Sequence, residues 1–336
     1  MRAVIYTESG PSSVLHLVER EKPTPGAGEV RVRVIRSGVN PTDWKSRAGG
    51  RPAFDEIAPN QDGAGVVEAL GAGVDGLSVG DRVWLMLAQH GRPIGTAADF
   101  TVVPATHAIP LPDVASFDLG ASLGVPAITA HRALTASEHG PARLGPGALD
   151  DAVVLVAGGA GAVGNAAIQL ARWSGATVIT TISDDEKARL ATAAGAQHTV
   201  NYRTTDAAEA IQAIAPDGVD IVVEVAPAVN NALDLAVMAN HGTIAIYANN
   251  GGDEVTIDIR STFARNVRYQ FLLLYTLAPD LLQAAAEDVN AAVTAGALRV
   301  GDEVGVPLHH FRLADTAAAH DAVENGAVGK VLIEVA

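Results

Sequence analysis

The chain of 336 residues contains no cysteine, which removes disulfides, thiolate nucleophiles and thiolate zinc sites together. Lysine is scarce as well: four stand against nineteen arginines, so a lysine at any candidate site stands out. Positive charge is outweighed, with a net charge of −15, which argues against nucleic acid or an anionic membrane as a partner. A small-molecule partner is expected instead. No stretch approaches the ~20 apolar residues of a membrane span, and the opening run Met1 to Tyr6 lacks the apolar core of a signal peptide. A cytoplasmic protein is therefore expected. Ten histidines are present, but none forms HExxH or a ligand-spaced cluster, and His309-His310 is the only close pair. No metal is expected to act in catalysis.

What is present centres on one stretch. Val153 to Ala157 is five consecutive apolar residues, the texture of a strand buried on both faces of a parallel sheet. Gly159, Gly161 and Gly164 follow in the spacing GxGxxG, and then comes a helix-like run with apolar residues at Val163, Ala167, Leu170 and Ala171. In such a turn the first glycine permits a tight bend, the second lets a pyrophosphate approach, and the third brings helix and strand together. Unpaired N–H groups at the helix start stabilise the phosphates without a basic side chain. Gly159, Gly161, Ala162, Val163 and Gly164 are accordingly the cofactor-binding candidates of the turn.

At this length two domains are expected, and the core can be large. Residues 1 to about 124 read as short strands separated by glycine and proline, as in the alternating run Arg31 to Arg36, and indicate an antiparallel, barrel-like β domain. From Val153 to Tyr247 strands alternate with helices: Val153 to Ala157, Thr177 to Ile182, Thr199 to Asn201, Val219 to Val225 and Gly242 to Tyr247. That alternation predicts an α/β fold with a doubly wound parallel sheet. A strand-like run at Val267 to Leu274, a helix over 279–295 and a strand-like tail from Lys330 follow. The expected division is 1–124 with 267–336 as one discontinuous domain and 125–266 as the other.

Several short matches, in order along nearly the whole chain, carry a resemblance: Ser37-Gly38-Val39-Asn40-Pro41-Thr42-Asp43, Gly63-Ala64-Gly65-Val66-Val67, Gly71-Ala72-Gly73-Val74, Gly80-Asp81-Arg82-Val83, Pro126-Ala127-Ile128-Thr129-Ala130, the glycine loop, and Gly329-Lys330-Val331-Leu332. The sequence resembles the medium-chain dehydrogenase/reductase superfamily, in its zinc-independent quinone oxidoreductase (zeta-crystallin-like) branch. The resemblance implies a GroES-like catalytic domain, a Rossmann domain and a homodimer paired through the run Val267 to Leu274. Where zinc-dependent members carry a cysteine ligand and Gly-His-Glu, this chain has Asn40 and Asn60-Gln61-Asp62. Amides are poor zinc donors.

The ribose-reading position lies about 20 residues beyond the glycine loop, where an acidic side chain favours NAD. Ser183 stands there, Lys187 follows, and Tyr202 matches the tyrosine that NADPH-using relatives place over the 2′-phosphate. Together they favour NADPH. Asp184 and Asp185 read as the cap and first turn of the next helix, although either one turned to the ribose would favour NADH.

Hydride transfer to a quinone needs close, stacked, water-shielded rings rather than a strong acid, because the product is a stabilised phenolate. The catalytic candidates implied by the family match are Asn40, on a substrate carbonyl or the nicotinamide ribose; Asp43, as an organiser or a helix N-terminal residue; and Lys45, near developing negative charge. Thr129, Tyr247 and Lys330 are further cofactor candidates, and Trp44, Leu87, Phe271 and Leu274 are placed by position around a substrate. Three functions compete. A quinone reductase leads, followed by an enone or alkenal reductase, which needs a proton donor more. A non-catalytic NADPH-binding protein is the third.

Overall fold

The computed structural model describes Met1–Ala336, and the chain divides into two compact units: Met1–Val125 with Pro307–Ala336, and Pro126–Val306.

In the first unit β1 (Arg2–Ile5) and β2 (His16–Glu19) form a two-stranded antiparallel sheet. The long β3 (Glu29–Val39) organises a larger one with β4 (Asp62–Leu70), β5 (Arg82–Leu85), β6 (Phe100–Pro104) and β7 (Ala108–Pro110). Val30, Val32 and Val34 alternate with arginines along β3, and all three valines are fully buried. Val30 and Val32 join Val67, Val83, Leu85 and Val103 in one core, while Val34 packs in a second with Val4, Val39 and Ile333, and each such side chain contributes about 1.5–3 kcal/mol on burial. Two register shifts against β4 kink β3, the usual device for curving a sheet towards closure. Short helices α1 (Pro41–Ala48) and α2 (Phe117–Gly120) follow β3 and precede the unit boundary, which falls inside α3 (Gly124–Leu134).

The second unit alternates β8 (Val153–Ala157), α4 (Ala162–Trp173), β9 (Thr177–Ile182), α5 (Asp185–Ala193), β10 (His198–Asn201), α6 (Ala207–Ile214), β11 (Val219–Glu224), α7 (Pro227–Val237) and β12 (Met238–Ile246). After α8 (Ile259–Ala264) come β13 (Arg268–Phe271) and α9 (Pro279–Thr294). All six strands are parallel, in the order β10-β9-β8-β11-β12-β13. The order reverses between β8 and β11, the switch point at which such sheets bind ligands. Helix α4 is enclosed more completely than one apolar face requires. Its Asn165 amide donates to the Val304 carbonyl at 2.8 Å and its Gln169 amide to that of Arg299 at 3.0 Å.

The expected domain division needs one correction. Residues 267–306 belong with the parallel sheet, because β13 pairs with β12 from Thr243↔Arg268 to Ile246↔Phe271. In α9, Asp288 is bonded by His131 and Arg143 of the same unit. The return to the first unit begins at Pro307: β14 (Leu308–Arg312), α10 (Thr316–Glu324) and β15 (Lys330–Glu334) follow. There β15 pairs antiparallel with β3, Val331 opposite Val39.

Candidate functional site

In the second unit the chain leaves β8 through Gly158, at φ +71, a conformation that glycine reaches without strain. The three motif glycines stand in different surroundings. A Cβ on Gly159 would lie 2.7 Å from Ile168 Cδ1, and one on Gly164 would lie 2.9 Å from the Gly159 Cα. Gly161 differs. A Cβ there would meet only the Gly158 carbonyl oxygen, at 3.4 Å, so no packing inside the protein demands glycine. Gly161 also stands as the N-cap of α4 and offers no side chain to its free N–H groups. An open surface beside an uncapped helix start fits an anion.

At the end of β9, Ser183 Oγ accepts from Lys187 Nζ at 2.7 Å and donates to Asp184 Oδ2 at 2.8 Å. Asp184 is the cap of α5: its Oδ1 accepts the Lys187 backbone N–H at 2.9 Å, and that bond, followed by the Ser183 hydroxyl, lowers its pKa. The Lys187 ammonium also lies 3.3 Å from Asp184 Oδ2. Tyr202 is tied to the same strand end, its N–H donating to the Ile182 carbonyl at 3.2 Å, while its side chain is 53% exposed. These three residues, 183, 187 and 202, therefore share one end of the sheet.

Tyr247 follows β12, and its N–H donates to the Glu224 carbonyl at 3.1 Å. Thr129 is buried on α3. Beside Tyr247 stands a pair that sequence reasoning missed. Glu224 is 0% exposed, and its carboxylate accepts from the Ala226 N–H and the Asn230 amide. Asp234 of α7 is buried too, with Oδ2 unpartnered. Burial raises the pKa of both, and the Glu224 charge raises Asp234 further. The available signal is a carboxylate that directly follows the apolar run Ile221 to Val223.

In the first unit Asn40, Asp43 and Lys330 do come together, around a fourth residue, Asp62. Asn40 precedes α1, and its N–H donates to Asp43 Oδ2 at 2.7 Å, while the Gln61 N–H donates to Asp43 Oδ1 at 3.1 Å. The Asn40 carboxamide is committed on both sides. Its Nδ2 donates to Asp62 Oδ2 at 2.7 Å and its Oδ1 accepts from Lys330 Nζ at 2.7 Å. Burial, then the Asp62 charge, push the Asp43 carboxyl up to about 8. Lys330, expected on the cofactor, is 2% exposed, with its ammonium enclosed between Asn40 and Asp62. Lys45 stands apart, exposed on α1 with Nζ 5.9 Å from the Trp44 ring. Asn60 and Leu87, at φ +80 and +54, place strained backbone in the same unit, the first two residues before Asp62. Of the residues placed around a substrate, Leu87 and Leu274 are buried, whereas Phe271 is 62% exposed on the sheet edge. No three histidine, aspartate or glutamate side chains converge as a metal-holding group.

A GroES-like barrel unit and a Rossmann unit with its glycine turn define a two-domain dehydrogenase class. Residues 26–113 match the family of alcohol dehydrogenase GroES-like domains, and residues 162–291 match the zinc-binding dehydrogenase family. The chain is 30% identical to quinone oxidoreductase of Rattus norvegicus, over 99% of this chain and 97% of that protein. It is 35% identical to 2-haloacrylate reductase of a Burkholderia species, over 67% of this chain and 66% of the other. A mycobacterial protein complexed with NADPH superposes with a TM-score of 0.84 at 29% identity, and a mycobacterial quinone oxidoreductase with 0.86 at 29%, each covering all of both chains. A structure described as an NAD-dependent alcohol dehydrogenase does so at 0.86 and 28%, again covering all of both. The chain belongs to the medium-chain dehydrogenase/reductase superfamily, among its quinone oxidoreductase-like oxidoreductases.

Proposed function

We propose that the chain is an NADPH-dependent reductase that delivers hydride to quinones without a metal. The observation that carries this reading is the Ser183–Lys187 pair, a hydroxyl and an ammonium 2.7 Å apart at the ribose-reading end of β9. A carboxylate at position 183 would repel a 2′-phosphate, and Asp184 is occupied as a helix cap. The likeness to a mycobacterial protein complexed with NADPH supports the cofactor, and the full-length likeness to the rat quinone oxidoreductase supports the acceptor.

The residues fit the dinucleotide. The bare N-terminus of α4 and the open face of Gly161 take the pyrophosphate, while Ser183, Lys187 and Tyr202 hold the 2′-phosphate. Thr129 and Tyr247 orient the nicotinamide. When bound, the reduced nicotinamide supplies the hydride. On the chain's side the contribution is orientation and exclusion of water, since a quinone's product is a stabilised phenolate that water can protonate. Asn40, held by Asp62 and Lys330, presents a rigid polar face, and Asp43 keeps the turn beneath it in place. The exposed edge of β13, with Phe271 and Leu273 outward, suits pairing with a second copy into a homodimer.

Reduction of an activated carbon–carbon double bond is the second reading, favoured by the likeness to a 2-haloacrylate reductase. Steady-state NADPH oxidation with 9,10-phenanthrenequinone, 1,4-benzoquinone and 2-cyclohexenone, with EDTA present, separates the two. Quinone turnover supports the first reading. Enone turnover alone transfers the function to the second. NADPH binding without turnover on any acceptor leaves a non-catalytic binder.

A further inference from the structure

Lys330 is the most deeply enclosed lysine of the chain, and its surroundings are built for it. Its Nζ donates to Asn40 Oδ1 at 2.7 Å and to Asp62 Oδ2 at 3.2 Å, and Asp62 Oδ1 accepts the Val125 N–H at 2.8 Å. Two glycines clear the space. A Cβ on Gly38 would lie 3.0 Å from Lys330 Cε and 3.1 Å from Asp62 Cβ, and one on Gly124 would lie 2.8 Å from Asp62 Cγ. The pairing of Leu332 with Gly38 across β15 and β3 delivers the lysine to this point.

A buried ion pair is weak evidence for stability, because an apolar pair of similar volume often serves as well. What this ammonium does uniquely is orient an amide. With Lys330 on Oδ1 and Asp62 on Nδ2, the Asn40 carboxamide has one orientation; without the ammonium its oxygen loses its donor and the buried Asp62 loses its countercharge.

We propose that Lys330 is a positioning residue, a tethered cation that neutralises Asp62 and fixes the Asn40 carboxamide, and that the cavity it fills is a site for a primary ammonium. The turnover part rests on the reductase reading above; the binding part does not. Lys330→Ala removes the atoms of n-propylamine. Melting temperature, NADPH affinity and quinone turnover are measured for the wild type and this variant, with n-propylammonium, n-propanol or tetramethylammonium added at fixed ionic strength. The variant should lose about 10- to 100-fold in kcat, the equivalent of one charged hydrogen bond, with NADPH affinity changed less than about threefold. Saturating n-propylammonium should raise its melting temperature by several degrees and recover about tenfold in kcat, whereas the wild type responds to neither. Unchanged kcat and melting temperature, equal rescue by n-propanol, or a selective loss of NADPH affinity would overturn the proposal. Should the alanine variant not fold, Lys330→Gln keeps the bulk without the charge, and wild-type kcat in that variant refutes the proposal. Should the wild type turn over no quinone, the reductase reading fails and the melting arm still decides the cation site.

Discussion

Gly164 sits directly on the turn that begins at Gly158, so closely that a Cβ on Gly164 would lie 3.0 Å from the Gly158 carbonyl carbon, whereas a Cβ on Gly161 between them would make only an ordinary contact, 3.4 Å from the Gly158 oxygen. Gly164→Ala should therefore destabilise the fold, by about 1–3 kcal/mol in denaturant unfolding, as overpacking against backbone does. Gly161→Asp should leave stability within about 0.5 kcal/mol yet abolish measurable dinucleotide binding, by placing a charge against the pyrophosphate. Equal stability losses in the two variants would contradict this division of roles.

Asp43 makes stability depend on pH with a definite sign. Its folded pKa, pushed up to about 8 by burial and then by Asp62, lies above the unfolded value of 3.8. Between those limits the folded state holds a proton that the unfolded state has released, so stability falls as pH rises through that window and levels off above it. The slope is at most about 1.4 kcal/mol per pH unit from this group. Asp43→Asn should lack it, so its stability relative to the wild type improves from pH 5 to pH 8. A difference that stays constant over that range, in urea titrations, would refute the assignment.

Glu224 and Asp234 share a buried location without a cation, and both are pushed up by burial. Asp234→Asn replaces the unpartnered Asp234 Oδ2 with an amide that can donate to Glu224 and removes the like charge. It should stabilise the protein by about 1 kcal/mol at pH 9 and change little at pH 5, as read from melting temperatures. Destabilisation at pH 9 would mean that like charge and burial do not oppose ionisation of this pair.

Much of the second unit was legible because its signals are local. The five apolar residues before the glycine turn, and the cap at Asp184, each lie within a few positions of what they organise. The domain boundary was not. Val267 to Leu274 reads as a strand, but only its ladder to β12 decides which unit owns it. The first unit shows the same limit. Asn40 and Asp43 are three residues apart and could be read together, whereas Lys330 joins them across 290 residues through the β15–β3 pairing. Nothing local in Gly329-Lys330-Val331 distinguishes an ammonium turned inward from one facing a phosphate. Asp62 and Glu224 left a fainter trace, each a carboxylate beside a run of three consecutive buried residues, Gly63 to Gly65 and Ile221 to Val223.

Cofactor choice is decided by the ratio of kcat/KM for NADPH to that for NADH, with 9,10-phenanthrenequinone as acceptor, in the wild type and in Lys187→Ala. A wild-type preference for NADPH that falls about 10- to 100-fold in the variant, through KM for NADPH alone, is the predicted result. A wild type that prefers NADH, or a ratio that Lys187→Ala leaves unchanged, would contradict it.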